Sequence, residues 1–379
     1  MALLPDSVRP LFPITDTCVY LNHAGSGPLS RPARDCMVQV LDGIMTHGPL
    51  IFDKLEELQA AARASAATLV HAKPHQIAFL RNTSDAISAI ANGIRWQRGD
   101  NIVSSAAEFP ANAYPWKRVA GIYGVEMRVT NPEGRGLVDM EQLLAQVDDR
   151  TRVVTVSWVQ FASGQRLDIR QIGKFCRDRN ILFVVDAIQG LGALQLDVEK
   201  DYVDALAAGA NKFLLGTKGV SLLYLSERAV ELVQPAVVGW TAVKDYSDYV
   251  AHATMDFREG AARFEGGALN VVGICGLGAA IDLFLRAGPE NIERHLFALA
   301  AYLTQELKQR GYQVIEPQDS SLVSSIVVCK HDRYSPDRIC NHLASRNIIT
   351  SARHEGLRIS PHFYNSHADL DALLASLPS

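Results

Sequence analysis

The sequence predicts an α/β protein with a mostly parallel sheet and helices on both faces. Short apolar, β-branched runs recur along the first two thirds of the chain, which is typical of buried strands. The stretch between two of them, IRQIGKFCRDRN at 169–180, has the spacing of an amphipathic helix. Strands that alternate with helices form a parallel sheet. The predicted strands are NIVSS (101–105), RVVTVSW (152–158), ILFVVDA (181–187) and VSLLYL (220–225).

The pattern changes near residue 270. Two long helical stretches follow, then short strands around SSIVVC and a last helix from His367. This order favours a second, smaller α+β domain. We predict a large domain over 15–265 and a small domain made of 266–379 together with the N-terminal residues 1–14. The polar segment 241–267 is a long loop, and loops of that length are usually functional or disordered.

Composition narrows the function classes. The chain has 379 residues, is 48% hydrophobic and carries a formal net charge of -4 with acids and bases interspersed. No basic surface for nucleic acid or an anionic membrane is expected, so a small molecule is the better partner. The N-terminal stretch lacks a long apolar run, which predicts neither a signal peptide nor a membrane span. We expect a cytoplasmic protein.

The sequence contains only weak motifs for a metal site or a dinucleotide-binding site. The six cysteines lie far apart, without CxxC spacing. In HAKPH (71–75), Pro74 would break the helix that could direct both histidines at one metal, so we predict no metal site. GICGLG (273–278) lies inside a helical pattern rather than after a strand, which favours close helix packing over a dinucleotide site.

The informative pair is Asp186 and Lys212. Asp186 ends the run ILFVVDA, and ligands of open α/β sheets bind beyond the carboxyl ends of strands. Lys212 follows the next strand, among apolar neighbours in GANKFLLGTKG (209–219). Alone, the acid could cap a helix and the lysine could be a solvated charge. Together, an acid for a pyridinium and a lysine for an imine match what pyridoxal phosphate requires.

Four motifs connect Asp186 and Lys212 with later parts of the chain. VVDAIQGLGALQLDV, GANKFLLGTKGVSLLYL, RFEGGALN and GLRISPHFYN occur in this order. They resemble the signatures of the class V aminotransferases, fold type I pyridoxal-phosphate enzymes that include cysteine desulfurases, C–S lyases and isopenicillin N epimerase-like proteins. The likeness runs from about residue 20 to the C-terminus. It implies pyridoxal 5'-phosphate as cofactor, an amino acid as substrate and a homodimer.

The resemblance also implies roles for residues around the cofactor. Lys212, preceded by Asn211, matches the Schiff-base lysine, whereas Lys218 falls in the later turn. Asp186 would hold the ring nitrogen, and Gln189 matches the residue that hydrogen-bonds the phenolic oxygen. Thr83 and Ser84 match the start of the helix that binds the cofactor phosphate, and the alternative is an ordinary N-cap. Phe109 matches the aromatic residue that stacks on the cofactor ring, and the alternative is a core phenylalanine.

A second group would bind the substrate. Arg358 matches the family arginine that clamps the substrate carboxylate, a role suited to a planar guanidinium; a surface arginine on an edge strand is the alternative. His23 and Arg353 are weaker candidates for the same pocket.

The chain departs from the desulfurase pattern in two places. Asn211 stands where desulfurases have histidine, and Ala268 stands where they have threonine, so two usual phosphate contacts are replaced. The segment NIITSARHEGLRIS (347–360) has no cysteine to accept sulfur. Because only a thiolate can carry the sulfur, we expect no persulfide mechanism.

These observations predict an enzyme in which Lys212 moves the Cα proton of an amino acid. Transamination and β-elimination of a C–S bond are favoured, and epimerisation shares the same first steps. A binding protein that keeps the fold without catalysis is the alternative from another class.

Overall fold

The computed structural model describes residues 5–134, 136–247, 255–354 and 356–378. Its strands form three sheets. In chain order the strands are β1 Val19–Tyr20, β2 Ile77–Leu80, β3 Asn101–Ser105, β4 Glu126–Thr130, β5 Thr151–Ser157, β6 Leu182–Asp186, β7 Ala205–Gly209, β8 Ser221–Leu225, β9 Gln313–Ile315, β10 Val327–Lys330, β11 Ile348–Ile349, β12 Ser351–Arg353 and β13 Gly356–Ile359.

The α-helices of the described residues pack around these sheets. In chain order they are α1 Arg31–His47, α2 Phe52–Leu69, α3 Thr83–Gly93, α4 Tyr114–Tyr123, α5 Met140–Leu144, α6 Ile169–Asp178, α7 Glu227–Leu232, α8 Val271–Ala287, α9 Pro289–Gln309, α10 Pro336–Ala344 and α11 His367–Ser376.

The largest sheet has seven strands in the order β2-β8-β7-β6-β5-β3-β4. The strands from β7 to β4 are parallel to their neighbours, and β8 is antiparallel to both β7 and β2. The predicted mostly parallel sheet is therefore confirmed, with an antiparallel pair added at one edge. All four predicted strands fall on β3, β5, β6 and β8 to within one residue at each end.

The core lies on both faces of this sheet. Side chains of a strand alternate between faces, and β6 shows this directly. Phe183 and Val185 pack in one apolar cluster, whereas Leu182 and Val184 pack in the other. Burying each such side chain stabilises the fold by about 1.5–3 kcal/mol, which explains why β6 is apolar at every position before Asp186.

The glycines of α8 permit close helix packing. A Cβ on Gly276 would stand 2.7 Å from the side chain of Met37 in α1, and one on Gly278 would stand 2.7 Å from the Cβ of Ala62 in α2. Larger side chains would separate these helices. The packing interpretation of GICGLG is thus confirmed.

The C-terminal part has its own four-stranded antiparallel sheet, in the order β12-β13-β10-β9. A short parallel pair, β1 with β11, joins the N-terminal segment to this part. The domain boundaries given above stay a prediction. Within the described residues no single helix is long and apolar enough to cross a membrane; α8 and α9, bent by 80°, pass that length and composition test only as a pair. Residues 248–254 of the predicted loop lie outside the described residues.

Candidate active site

Asp186 is the last residue of β6 and is 1% exposed. Its Oδ1 accepts a hydrogen bond from the backbone N–H of Ile188 at 3.0 Å, and its Oδ2 has no partner. Burial raises the pKa of this carboxyl, the nearby acid Glu108 adds to the rise, and the charge of Lys212 opposes it. The open Oδ2 can therefore accept a hydrogen bond from a buried cation.

Lys212 lies in the turn that follows β7. The turn closes through a hydrogen bond from the Leu215 N–H to the Lys212 carbonyl at 3.1 Å, with Leu215 at φ 53°. The Nζ atom is 5.3 Å from the ring centroid of Phe109. Burial lowers the pKa of the amine, and Arg358 lowers it further, while Asp186 raises it. Lys218 is exposed, so only Lys212 has the surroundings that favour a neutral amine.

The lysine turn packs against the N-terminal segment. The carbonyl of Asn211 accepts from the N–H of Gly27 at 2.8 Å, and a Cβ on Gly27 would stand 2.3 Å from the Lys212 carbonyl oxygen. Gln189 is buried beside the same segment, where its Nε2 donates to the Ala24 carbonyl at 3.1 Å and its Oε1 has no partner. Gln189 retains a second amide hydrogen for a ligand oxygen.

Thr83 and Ser84 begin α3, as predicted for a phosphate site. The N-cap is Asn82, whose Oδ1 accepts from the Asp85 N–H at 2.9 Å, so the alternative that Ser84 is the cap is wrong. Thr83 is buried, and its Oγ1 accepts from the Gly209 N–H at 2.9 Å. Ser84 is exposed, and the free N–H groups of the first turn can bind an anion.

Phe109 is not a core residue, because 41% of it is exposed. Its ring meets that of Phe161 edge-on, with centroids 5.2 Å apart. A cavity of about 630 Å³ opens beside Phe161, and Arg353 and His354 line it. The Phe109 ring therefore lies near the amine of Lys212 and meets Phe161, a residue that lines the cavity.

Arg358 lies on β13, an inner strand of the small sheet, and is fully buried. Its Nε donates to the Ser351 hydroxyl at 3.3 Å and its Nη1 to the Phe161 carbonyl at 2.8 Å, while Nη2 has no partner. The alternative of a surface arginine on an edge strand is thus wrong. A buried guanidinium with an open N–H group suits a carboxylate. Arg353, on β12, is exposed.

His23 does not fit the predicted contact with substrate. Its ring is fully buried, with Nδ1 2.8 Å from the Ser360 carbonyl and Nε2 2.7 Å from the Tyr364 hydroxyl. Both ring nitrogens are engaged within the protein, and we replace that expectation with a structural role. Sequence reasoning could not distinguish the two because a lone histidine does not reveal its partners.

Glu108 is a site residue that the sequence analysis missed. Its buried carboxylate accepts from the Ser157 N–H at 2.7 Å, from Gln160 Nε2 at 2.9 Å and from Asn112 Nδ2 at 2.8 Å. Burial raises the pKa of this carboxyl. The acid directly precedes Phe109, and a polar residue between apolar neighbours at a strand end was the available signal.

These residues fit pyridoxal phosphate. Among the described residues, the buried side-chain atoms without a hydrogen-bond partner include Asp186 Oδ2, Gln189 Oε1 and Arg358 Nη2. An unpaired buried polar atom is costly, so three of them at one site indicate a ligand that pairs with them. A pyridinium N–H suits Asp186, and an amino-acid carboxylate suits Arg358.

Comparison with known families agrees with this chemistry. The family model for Aminotransferase class-V matches residues 51–373. The chain belongs to the class V aminotransferase family. It is therefore a member of an enzyme family that uses pyridoxal phosphate, as the motifs predicted, and its activity is of the aminotransferase or C–S lyase type.

Individual relatives match most of the length of this class V aminotransferase. A probable cysteine desulfurase of Methanothermobacter thermautotrophicus is 29% identical over 97% of this chain and 96% of its own. A cysteine desulfurase of Dickeya dadantii is 31% identical over 80% of this chain and 76% of its own. The fold is similar to that of a C-DES variant solved with glycine covalently linked to its cofactor, with a TM-score of 0.90, 23% identity and coverage of 97% and 98% of the two chains.

Proposed function

We propose that this class V enzyme acts on an amino acid through a Lys212 Schiff base, as an aminotransferase or a C–S lyase, with β-elimination of sulfur as the favoured reaction. One observation carries the first part of the proposal. Next to the half-buried Lys212, the carboxylate of Asp186 and the guanidinium of Arg358 each retain a buried polar atom without a hydrogen-bond partner, and their charges shift the pKa of the Lys212 amine in opposite directions.

Each residue has a distinct role. The cofactor, when bound, supplies a sink for the electrons left when the Cα proton departs. Asp186, through its unpaired Oδ2, would hold the ring nitrogen of the cofactor and favour its protonated form. Arg358 binds the substrate carboxylate and so orients the Cα–H bond. Lys212, held near neutrality by burial, accepts that proton.

The cofactor contacts proposed for the remaining residues rest on their positions. Thr83 and Ser84 lie in the first turn of α3, where backbone N–H groups are available to a phosphate. Phe109 has its ring near the Lys212 amine and would stack on the cofactor, and the remaining amide hydrogen of Gln189 would bind the phenolic oxygen. The side chain of Asn211 is the candidate for the phosphate contact that histidine makes in desulfurases.

The sulfur chemistry follows from the cysteines. A desulfurase needs a reactive thiol near the substrate, and two of the relatives named above are a cysteine desulfurase and a probable cysteine desulfurase. Here Cys340 lies in α10, where its sulfur accepts from the Thr350 hydroxyl at 3.5 Å. Burial raises the pKa of this thiol, so less thiolate is present. We therefore propose that sulfur leaves directly from the substrate.

The proposed elimination is balanced without a protein thiol. Lys212 removes the Cα proton, the Cβ–S bond breaks, and the sulfur departs with the bonding electron pair as a thiolate. Water then hydrolyses the remaining three-carbon enamine to pyruvate and ammonia. No oxidant is required.

We further propose a cytoplasmic homodimer whose partners are small molecules. Apolar side chains are exposed along α1 and the start of α2, and surfaces of this kind usually mark protein contacts. These side chains are Val38, Leu41, Met45, Leu50 and Phe52, exposed by 39%, 52%, 79%, 89% and 59%. The net charge of -4 gives no support for nucleic-acid or membrane binding.

Turnover of an amino-acid panel tests the function. We expect sulfur amino acids to yield pyruvate, ammonia and a thiol or sulfide in equal amounts, each assayed separately. Keto acid that retains the substrate's side chain, formed only with an amino acceptor, would instead establish transamination. Recovery of racemised substrate alone would contradict both.

A further inference from the structure

A buried histidine next to the lysine turn has no role in the chemistry above. His362 is fully buried, and its Nε2 lies 2.8 Å from the carbonyl oxygen of Phe213, the residue after Lys212. Its Nδ1 accepts from the backbone N–H of Phe363 at 2.8 Å. Both ring nitrogens therefore bond to backbone groups of two different segments.

These partners fix the tautomer. A carbonyl only accepts, so Nε2 carries the hydrogen, and a backbone N–H only donates, so Nδ1 is bare. A second proton on Nδ1 would set two donors against each other. Burial and the neighbouring His23 lower the pKa of His362 well below its ordinary value, in agreement with a permanently neutral ring.

The same segment carries the substrate clamp. Arg358 lies four residues before His362, on β13, and Ser360 between them bonds to the N-terminal segment through the N–H of Ala24 at 3.0 Å. His23 bonds to the Ser360 carbonyl at 2.8 Å. The segment from Arg358 to His362 is thus held at both ends. Arg358 lies in the small sheet, and His362 bonds to the lysine turn.

We propose that His362 is a positioning residue for Lys212: by holding the Phe213 carbonyl, its Nε2–H sets where the amine stands relative to the guanidinium of Arg358. This inference rests on the proposed roles of Lys212 and Arg358. It explains why a polar ring is kept among Phe213, Phe284 and Phe363, whose ring centroids lie 5.6, 5.8 and 4.9 Å from that of His362.

Two amide substitutions separate the functions of the two ring nitrogens. The amide of His362→Gln reaches the Nε2 position and retains a donor for Phe213. The amide of His362→Asn reaches only the Nδ1 position and leaves the Phe213 carbonyl unpaired. His295→Gln is the matched control, because His295 Nε2 also bonds to a backbone carbonyl, but to that of Asn365 at 2.8 Å rather than to a carbonyl of the lysine turn.

The holoenzymes are compared by kcat and KM, by the pH titration of the visible absorbance of the bound cofactor, and by thermal unfolding. We expect His362→Asn to lower kcat by about tenfold or more with KM little changed, since a small misplacement of a reacting group costs that much while the carboxylate clamp remains. The midpoint of its absorbance titration should move. His362→Gln and the control His295→Gln should resemble the wild type in kcat and in the midpoint of the absorbance titration.

Equal kcat values and equal absorbance titrations for the Asn and Gln variants, with a difference only in thermal stability, would overturn the proposal. If the Asn variant does not fold, His362→Met, which has no donor, replaces it in the same comparison. Borohydride reduction of the wild type followed by peptide mapping tests the underlying function separately. Labelling of a lysine other than Lys212 would refute that function whatever the His362 variants do.

Discussion

At the scale of single residues, the two lysines of GANKFLLGTKG have opposite surroundings. Lys212 is enclosed beside Phe109, and burial lowers its pKa, whereas Lys218 is exposed. An amine must be neutral to attack a carbonyl, and an apolar enclosure disfavours the ammonium form. The difference in burial, rather than the sequence around each lysine, explains why only one of them suits covalent binding of the cofactor.

The first prediction compares these lysines. Lys212→Ala should abolish the visible absorbance of the Schiff-base-bound cofactor, and Lys218→Ala should retain it, because Lys218 is not enclosed with the site. Absorbance spectra of the two purified variants, each reconstituted with pyridoxal phosphate, provide the measurement. Loss of the absorbance in Lys218→Ala with retention in Lys212→Ala would exchange their roles.

A second prediction concerns His23. Burial lowers the pKa of His23 to about 4 from 6.5, so the folded state disfavours protonation more than the unfolded chain does. Stability from this group is complete above the unfolded pKa and is lost as pH falls from about 6.5 through about 4, a change of about 3 kcal/mol.

Unfolding by denaturant at pH 7 and pH 4.5 measures this effect. We expect His23→Gln, which does not titrate, to lose less stability between these pH values than the wild type. The exposed His47→Gln serves as the control and should behave like the wild type. An identical loss in His23→Gln and the wild type would contradict the prediction.

At the scale of elements, the helix start at Thr83 separates a structural role from a binding role. Asn82 caps the helix through the Asp85 N–H, and Ser84, two residues after the cap, is exposed. The two residues therefore have different roles. Asn82 stabilises the helix whether or not a ligand is bound, and the hydroxyl of Ser84 is available to a ligand.

The third prediction uses this pair. Asn82→Ala should lower the free energy of unfolding by about 1 kcal/mol, the usual cost of removing an N-cap. Ser84→Ala should leave that free energy nearly unchanged and increase the dissociation constant of the cofactor. Denaturant unfolding without cofactor and a cofactor titration distinguish them. Unchanged cofactor affinity in Ser84→Ala would remove Ser84 from the phosphate site.

At the scale of the whole molecule, three of the six cysteines belong to the buried core. Cys176, Cys275 and Cys329 are buried in the apolar clusters, and burial raises the pKa of each thiol. A buried thiol of raised pKa is a poor nucleophile. These three thiols are therefore poorly suited to accept sulfur, and burial raises the pKa of Cys340 as well.

The fourth prediction replaces all six cysteines by serine or alanine. Turnover per folded molecule should stay close to that of the wild type, although thermal stability should fall because cavities form at the buried positions. The product assay described above gives turnover, and calorimetry gives stability. A substrate-derived persulfide on any cysteine of the wild type, found by mass spectrometry, would restore the desulfurase mechanism.

The sequence by itself determined the fold class, four of the seven strands of the central sheet among the described residues, and the places of Asp186 and Lys212 at or after the ends of buried strands. Strand periodicity and a polar residue at a strand end are local features, so they can be recognised without contacts. The family motifs added Arg358, Thr83 and Phe109, again because each motif is a short local pattern.

Only the tertiary structure decided how distant segments meet. His23 and Ser360 are 337 residues apart in the chain, and their hydrogen bond changed a predicted substrate contact into a structural one. The hydrogen bonds that define the roles of Glu108 and His362 run to partners on other elements. Burial and hydrogen-bond pairing depend on what the rest of the chain places around a side chain, and no local pattern carries that information.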